Sequence, residues 1–331
     1  MLTAILAVFL FVIMIFPHEL GHFVVAKAVG VKVNEFAFGM GPAIWKKQKG
    51  ETLYAIRIFP IGGYCLMEGE NEESDNERAF NNKSGKAKIA VLLAGSVMNV
   101  LIAILVMIIL MGVIGSPTTT IAKVESGSPA YTAGIQKGDT IVAVNSSKVK
   151  EWNDLSTLIS KNTKGMTITV NRNGADRELQ VTPVKSDGRY IVGVTPAVSH
   201  NAFTAVKNGI ISTVTMTRTM FISLQQLFSG QVAAKNLSGP VGIVSLVHQS
   251  ESYGLYYFFY LLAFISINLA VINMLPLPAL DGGRIVFVII RAITGKKITD
   301  SMEATVHAAG MILLLGLMVF VTWNDIVRLF Q

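Results

Sequence analysis

The sequence predicts a polytopic α-helical membrane protein of four transmembrane helices, with an α+β domain inserted between the second and third. Three observations carry this reading. Hydrophobic residues make up 51% of the 331 and charged residues only 15%, with a mean hydropathy of +0.53. Four apolar stretches are near the ~20 residues needed to cross a ~30 Å hydrocarbon core. Between the second and third lies a run of short β-branched segments broken by turn residues. Ordinary globular chains carry about 25% charge, and disorder needs the opposite bias. The single cysteine, Cys65, excludes a disulfide framework and a multi-cysteine zinc or iron–sulfur site.

The first stretch covers residues 2–28 and runs into Pro17-His18-Glu19-Leu20-Gly21-His22. A cleaved signal peptide would need a basic start and a small-residue cleavage site. No Lys or Arg precedes Lys27, so the segment reads as a span. Residues 89–114, 256–280 and 304–323 are the other three. Ten Lys and Arg, from Lys27 to Lys88, lie between spans 1 and 2, and Arg284, Arg291, Lys296 and Lys297 lie between spans 3 and 4. Basic loops stay cytoplasmic, so both chain ends are expected outside. Residues 202–229 are fairly apolar but carry Lys207, Arg218 and many Thr. That mix suits an amphipathic surface helix better than a fifth span. The polar run 68–86 reads as a cytoplasmic loop.

The expected organisation follows. An N-terminal membrane region is 1–115, with spans 1 and 2 and a β-hairpin loop at about 52–67, Gly62-Gly63 at or near its turn. The inserted domain is 116–200, an amphipathic extracytoplasmic helical segment is 201–254, and a C-terminal membrane region with spans 3 and 4 is 255–331. Within the inserted domain "TIAKV", "TIVAVN", "MTITVNR" and "ELQVTPV" read as strands. "WNDLSTLISK" has helical spacing after a cap at Asn153. The pattern Ala133-Gly134-Ile135, Gly138-Asp139, Ile141, Val144-Asn145 resembles the PDZ domains of bacterial proteases. Such domains bind extended peptides by strand addition. A spacer that limits access by size remains an equal alternative.

The chemistry centres on residues 18–22. Residues four apart share a helix face, with Cβ atoms about 5–6 Å apart. His18 and His22 can therefore hold one Zn²⁺, while Glu19, offset by one, reaches a metal-bound water as general base. Five histidines and thirteen glutamates placed at random would produce this pattern only about 0.003 times in the chain. A catalytic zinc site needs a third protein ligand and an open fourth position. His200 and His248 fall in the extracytoplasmic region, and His307 starts span 4 alone, where a packing or interface role is the simpler reading. Asp281 is the better candidate. Pro276 and Pro278 break the helix before it, and Gly282 and Gly283 let the chain turn. From Leu2 to His18 the rise is roughly 24 Å, so His18 is expected in the inner leaflet of the bilayer. Span 3 also ends at the inner side, which brings Asp281 to the same level.

The motif His-Glu-Leu-Gly-His in span 1, with Asn273, Pro276, Asp281 and Gly282 in the later stretch "NMLPLPALDG", resembles the site-2 protease family of intramembrane zinc metalloproteases. The inserted PDZ-like domain makes the chain most similar to the branch of bacterial regulator-of-sigma-E proteases. One departure is visible: there is room here for a single PDZ domain rather than two in tandem. The resemblance implies that His18, His22 and Asp281 ligate zinc and that Glu19 activates water. It also implies that Asn273 helps hold substrate or stabilise the oxyanion. From the residues alone, Asn273 is equally a helix–helix hydrogen bond. The resemblance further implies that the hairpin is membrane-associated, on the cytoplasmic side, and holds the unwound substrate. An ordinary cytoplasmic hairpin is the alternative. Gly95-x-x-x-Asn99 reads as close helix packing, and "NLSGPVGI" (236–243) as a turn before a short helix.

The expected function is intramembrane proteolysis of single-span membrane proteins, anti-sigma factors among them, or of signal-peptide remnants. The expected setting is a multi-pass protein of the bacterial cell membrane, its partners the lipid bilayer and a peptide ligand of the PDZ-like domain. The competing reading is a non-catalytic membrane PDZ adaptor, which has no need of Glu19. A transporter would need polar residues along several spans. No motif supports nucleic-acid binding, and topology already explains the net charge of +7.

Overall fold

The computed structural model describes all residues except 71–73, 187, 232–237, 296–299 and 330–331. The chain opens with α1 (Leu2–Ala28), β1 (Val33–Lys49), β2 (Thr52–Met67) and α2 (Gly85–Ile114). Next come β3 (Ser116–Val124), α3 (Pro129–Thr132), β4 (Thr140–Val144), β5 (Ser147–Lys148), α4 (Trp152–Lys161), β6 (Met166–Arg172) and β7 (Ala175–Val181). After these follow β8 (Val184–Ser186), β9 (Arg189–Ile191), β10 (Val194–Ser199), α5 (Ala202–Phe228) and α6 (Pro240–Tyr253). The last three elements are α7 (Leu255–Asn273), α8 (Asp281–Thr294) and α9 (Asp300–Leu329). The chain divides into two compact units, Met1–Met107 with Gly209–Gln331, and Ile108–Asn208.

Four described helices are long and apolar enough to cross a membrane: Leu2–Ala28, Gly85–Ile114, Leu255–Asn273 and Met302–Arg328. Their number agrees with the sequence reading, and α5 is not among them. Large apolar side chains stay exposed at helical spacing, as Leu101, Leu105 and Ile109 do on α2 and Leu313, Leu317 and Phe320 on α9. A soluble monomer does not carry stripes of that size, so this is a membrane-integral protein. Inside the first unit, Leu10 and Met14 of α1 pack with Val247 of α6 and Phe258 and Leu262 of α7. The start of α6 is held by a buried carboxylate: Asp325 on α9 accepts hydrogen bonds from the backbone N–H groups of Gly239 and Gly242, both 2.8 Å. A Cβ at Gly239 would sit 2.9 Å from that oxygen, which gives the glycine a steric reason. Asn236 and Leu237 of the same motif lie outside the described residues, as do Asn71, Glu72, Glu73, Lys296 and Lys297.

Three expectations are corrected. First, 52–67 does turn back on itself, but its two limbs do not pair with each other: residues 35–38 of β1 lie between them. Lys49 pairs with Thr52 and Trp45 with Ile56, so the tight turn is Gly50-Glu51, with Gly50 at φ 62°. Phe36 is flanked by both Tyr54 and Cys65, and Phe38 by both Ile56 and Gly63. Gly62-Gly63 sits at the end of the reversal that carries 52–67 from one side of β1 to the other, with Gly62 at φ 86°. The lysine-rich outer half of β1 hid the strand, because its polarity follows exposure and not the period of a half-buried strand. The turn is anchored by Glu51, which accepts from Arg78 Nη1 at 2.6 Å and Lys27 Nζ at 2.7 Å. Those hydrogen bonds, Arg78 foremost, hold its carboxyl down at about 2. Second, the third apolar helix stops at Asn273, not at Leu280, and after an irregular stretch a separate amphipathic helix, α8, begins at Asp281. Third, α4 is capped by Glu151 and not by Asn153. The Asp154 carboxylate accepts from the N–H groups of Lys150 and Glu151 at 3.0 and 3.1 Å.

The second unit has its own core of Ile121, Ile141, Leu155, Ile168 and Val170. Its sheet runs β10–β3–β4–β6–β7, with β5 paired to β4. Asp139, 1% exposed, is held in a fork: Arg172 Nε and Nη2 each donate to it at 2.7 Å, and Gln136 N donates at 2.8 Å. Burial alone would raise this carboxyl; the guanidinium outweighs burial and holds it below its usual range. A depressed folded value means that the pair's contribution is complete above about pH 4 and is lost as pH falls through the folded value. Removing Arg172 leaves a buried charge unpaired. Arg172→Ala is therefore expected to lower the melting point of the 108–208 unit by roughly 4–8 °C or more at pH 7. Heating with limited proteolysis reads this out, and an unchanged melting point would reject the role of the pair.

Candidate metal centre

Residues 18–22 sit on the inner face of α1, where α1 crosses α2 at close range. A Cβ added to Gly21 would lie 2.4 Å from Ala94 O, and one added to Gly95 would lie 2.4 Å from His22 Nε2 and 2.6 Å from His18 Cε1. Both glycines are thus required by space. The two imidazoles, each 7% exposed, face one another edge to face with centroids 4.7 Å apart. His22 Nδ1 lies 2.8 Å from Val91 O on α2. It donates there, which leaves the Nε2 lone pair for a ligand.

The third group arrives from the other end of the chain. After α7 the backbone makes a tight bend: Leu277 N donates to Leu275 O at 2.7 Å, and Ala279, though not glycine, adopts φ 72°. Gly282 and Gly283 begin α8 so close to this bend that their Cβ positions would lie 2.4 Å from Met274 O and Leu275 O and 2.1 Å from Leu277 O. The carboxylate of Asp281 is thereby turned back toward α1. Its Oδ2 lies 3.4 Å from His18 Nε2 and 3.4 Å from His22 Nε2, and those two nitrogens are 3.2 Å apart. Four-coordinate tetrahedral zinc with ligands at 2.0–2.1 Å spaces neighbouring ligand atoms by about 3.3 Å. The triangle fits that ion. Asp281 Oδ2 is also buried with no hydrogen-bond donor among the described residues, which a cation would satisfy.

Among the described residues His18, His22 and Asp281 form the one such cluster of potential metal ligands. Asn273 Nδ2 lies 3.1 Å from His18 Nε2. Glu19 is within electrostatic reach of His22, His18 and Asp281. The sheet approaches at this point: a Cβ on Gly63 would lie 3.3 Å from Glu19 Cγ. Cys65, beside it in β2, is buried, and burial pushes its thiol up. His307, read from sequence as a packing or interface residue, instead touches the bend: Ala279 N donates to its Nδ1 at 2.8 Å. The signal available in the sequence was a lone imidazole on an otherwise apolar helix.

A buried His–His–Asp triangle inside a membrane-integral fold belongs to the class of membrane-embedded metalloenzymes. Peptidase family M50 matches residues 6–317, and the chain belongs to that family, the zinc-dependent site-2 type metalloproteases. It is 38% identical to a candidate zinc metalloprotease of Clostridium acetobutylicum, over 98% of this chain and 97% of that one. It is 30% identical to the regulator of sigma-W protease RasP of Bacillus subtilis, over 99% of both chains. Among solved structures, the PDZ domain of an SdrC-like protein from Listeria innocua aligns at 18% identity and a TM-score of 0.22, covering 25% of this chain and 99% of that one.

The crossing of α1 and α2 yields a test. Gly95→Ala is expected to reduce zinc retained on the purified protein at least about tenfold, the scale seen when a ligand shell is disturbed. Gly112→Ala, whose Cβ would meet only Ala205 Cβ at 3.9 Å, should retain zinc fully. Equal metal content in both variants, by atomic absorption, would rule out the steric account.

Proposed function

We propose that the chain hydrolyses peptide bonds within or near transmembrane segments, with His18, His22 and Asp281 holding zinc and Glu19 as general base. The single observation that carries the reading is the ligand triangle, with edges of 3.2, 3.4 and 3.4 Å, built from two separate helices. Zinc held by His18, His22 and Asp281 would lower the pKa of a water and polarise the scissile carbonyl. Glu19, one residue from His18 and outside the triangle, would take a proton from the attacking water and return it to the leaving amine. Val91 O fixes the tautomer of His22 through its Nδ1–H. Asn273, whose Nδ2 lies 3.1 Å from His18 Nε2 at the end of α7, is proposed to donate to a substrate carbonyl.

A transmembrane helix hides its carbonyls in i to i−4 bonds and must unwind before attack. The closeness of Gly63 to Glu19 supports a role for the sheet in holding the unwound strand by edge pairing. The basic loops support a cytoplasmic-side active site and extracytoplasmic chain ends in the cell membrane of a bacterium. The substrates proposed are single-span proteins, such as anti-sigma factors, or signal-peptide remnants. The name of the Bacillus relative, a regulator of sigma-W protease, supports the first class. The 116–200 domain is proposed to be PDZ-like, either binding an extended peptide or limiting access by size.

Glu19→Gln separates this reading from a non-catalytic adaptor. It is expected to lower cleavage of model transmembrane peptides by at least roughly 10²-fold while zinc stays bound. Asp281→Asn should lose both. Cleavage that survives in Glu19→Gln, or that is indifferent to a chelator, would overturn the assignment.

A further inference from the structure

The bend that delivers Asp281 is clasped from outside the ligand triangle. A Cβ on Gly310 of α9 would lie 2.3 Å from Pro278 Cβ, so the α9 backbone touches the bend directly. One turn earlier on the same face, His307 Nδ1 accepts the Ala279 N–H at 2.8 Å. Ala279 holds a left-handed φ of 72° without being glycine, a conformation that persists only where its surroundings enforce it. Asp281 follows two residues later. Because Nδ1 accepts, the neutral ring carries its proton on Nε2. That nitrogen has no hydrogen-bond partner among the described residues; the Glu303 carboxylate is 3.7 Å away. The ring is steadied by Phe287 of α8, with centroids 5.3 Å apart. His307 is therefore held on one side by α8 and spends its single acceptor on the backbone just before the carboxylate.

We infer that His307 is a positioning residue for the zinc centre: by fixing the Ala279 peptide it sets the direction in which Asp281 Oδ2 meets His18 and His22. The inference rests on Asp281 being a zinc ligand. It predicts that the acceptor at the Nδ1 position, and not the aromatic bulk, controls metal affinity. The Asn side chain places an oxygen near that position, whereas Leu keeps apolar volume and removes the acceptor.

The test uses the full chain in detergent, stripped of metal and titrated with Zn²⁺ against a chromophoric chelator. Co²⁺ titration adds a visible absorption band that reports the ligand set. Relative to wild type, His307→Leu should bind zinc about tenfold or more weakly and show an altered Co²⁺ band. His307→Asn should return both close to wild type. Val306→Ala, exposed on the same helix, should change neither. Wild-type affinity and an unchanged Co²⁺ band in His307→Leu would overturn the proposal, as would His307→Asn behaving like His307→Leu. If His307→Leu does not fold, His307→Asn decides: folded and metal-loaded supports the role, and metal-poor or unfolded refutes it. Asp281→Asn is the reference. If its zinc affinity equals wild type, the ligand assignment fails and takes this inference with it. If only the His307 variants are silent, the ligand assignment stands and this inference alone falls.

Discussion

The arrangement depends on how closely α1 and α2 cross. Two imidazoles on one helix face need space in front of them, and an ordinary side chain on the facing helix would occupy it. Gly95 supplies that space and Gly21 lets the helices approach, with Cβ positions that would fall 2.4 Å from neighbouring atoms in both cases. Val91, one turn before Gly95, then presents the carbonyl that orients His22. Packing and chemistry are here the same contact. Interiors are close-packed and yield little, so one added methyl at Gly95 is felt at the imidazole nitrogens.

The second requirement is a carboxylate arriving from more than 250 residues away along the chain. A continuous helix would carry Asp281 onward past α1. Pro276 and Pro278 end the helix, the Ala279 peptide reverses the backbone, and Gly282 and Gly283 allow α8 to start against the carbonyls of α7. Burying a carboxylate beside two imidazoles is costly unless a cation balances it. The convergence of three donor atoms on one point, with an orphaned oxygen among them, is what such a cation would offset. The ion pair of Glu70 with Arg284 tethers the first turn of α8 to the loop after β2, so the bend and the sheet belong to one assembly.

The 108–208 unit contributes none of these atoms. It builds its own core and its own buried ion pair, Asp139 with Arg172.

Much of this was legible in the chain order of residue types. Helical spacing put His18 and His22 on one face, and apolar length marked four membrane helices. The prolines and glycines around Asp281 marked a break, because those residues restrict or free the backbone locally. Local rules reach no further than a few residues. They missed β1, whose lysines follow solvent exposure, and they extended the third span to Leu280 because hydropathy does not register where hydrogen bonding stops. They also left His307 as a packing or interface residue, since nothing near it in sequence shows that the Ala279 N–H needs an acceptor. The ligand triangle, the glycine-lined crossing and the grip on the bend are contacts between distant segments. Only the packed helices decide them, because the distance between two side chains on different helices is set by every residue that keeps those helices apart.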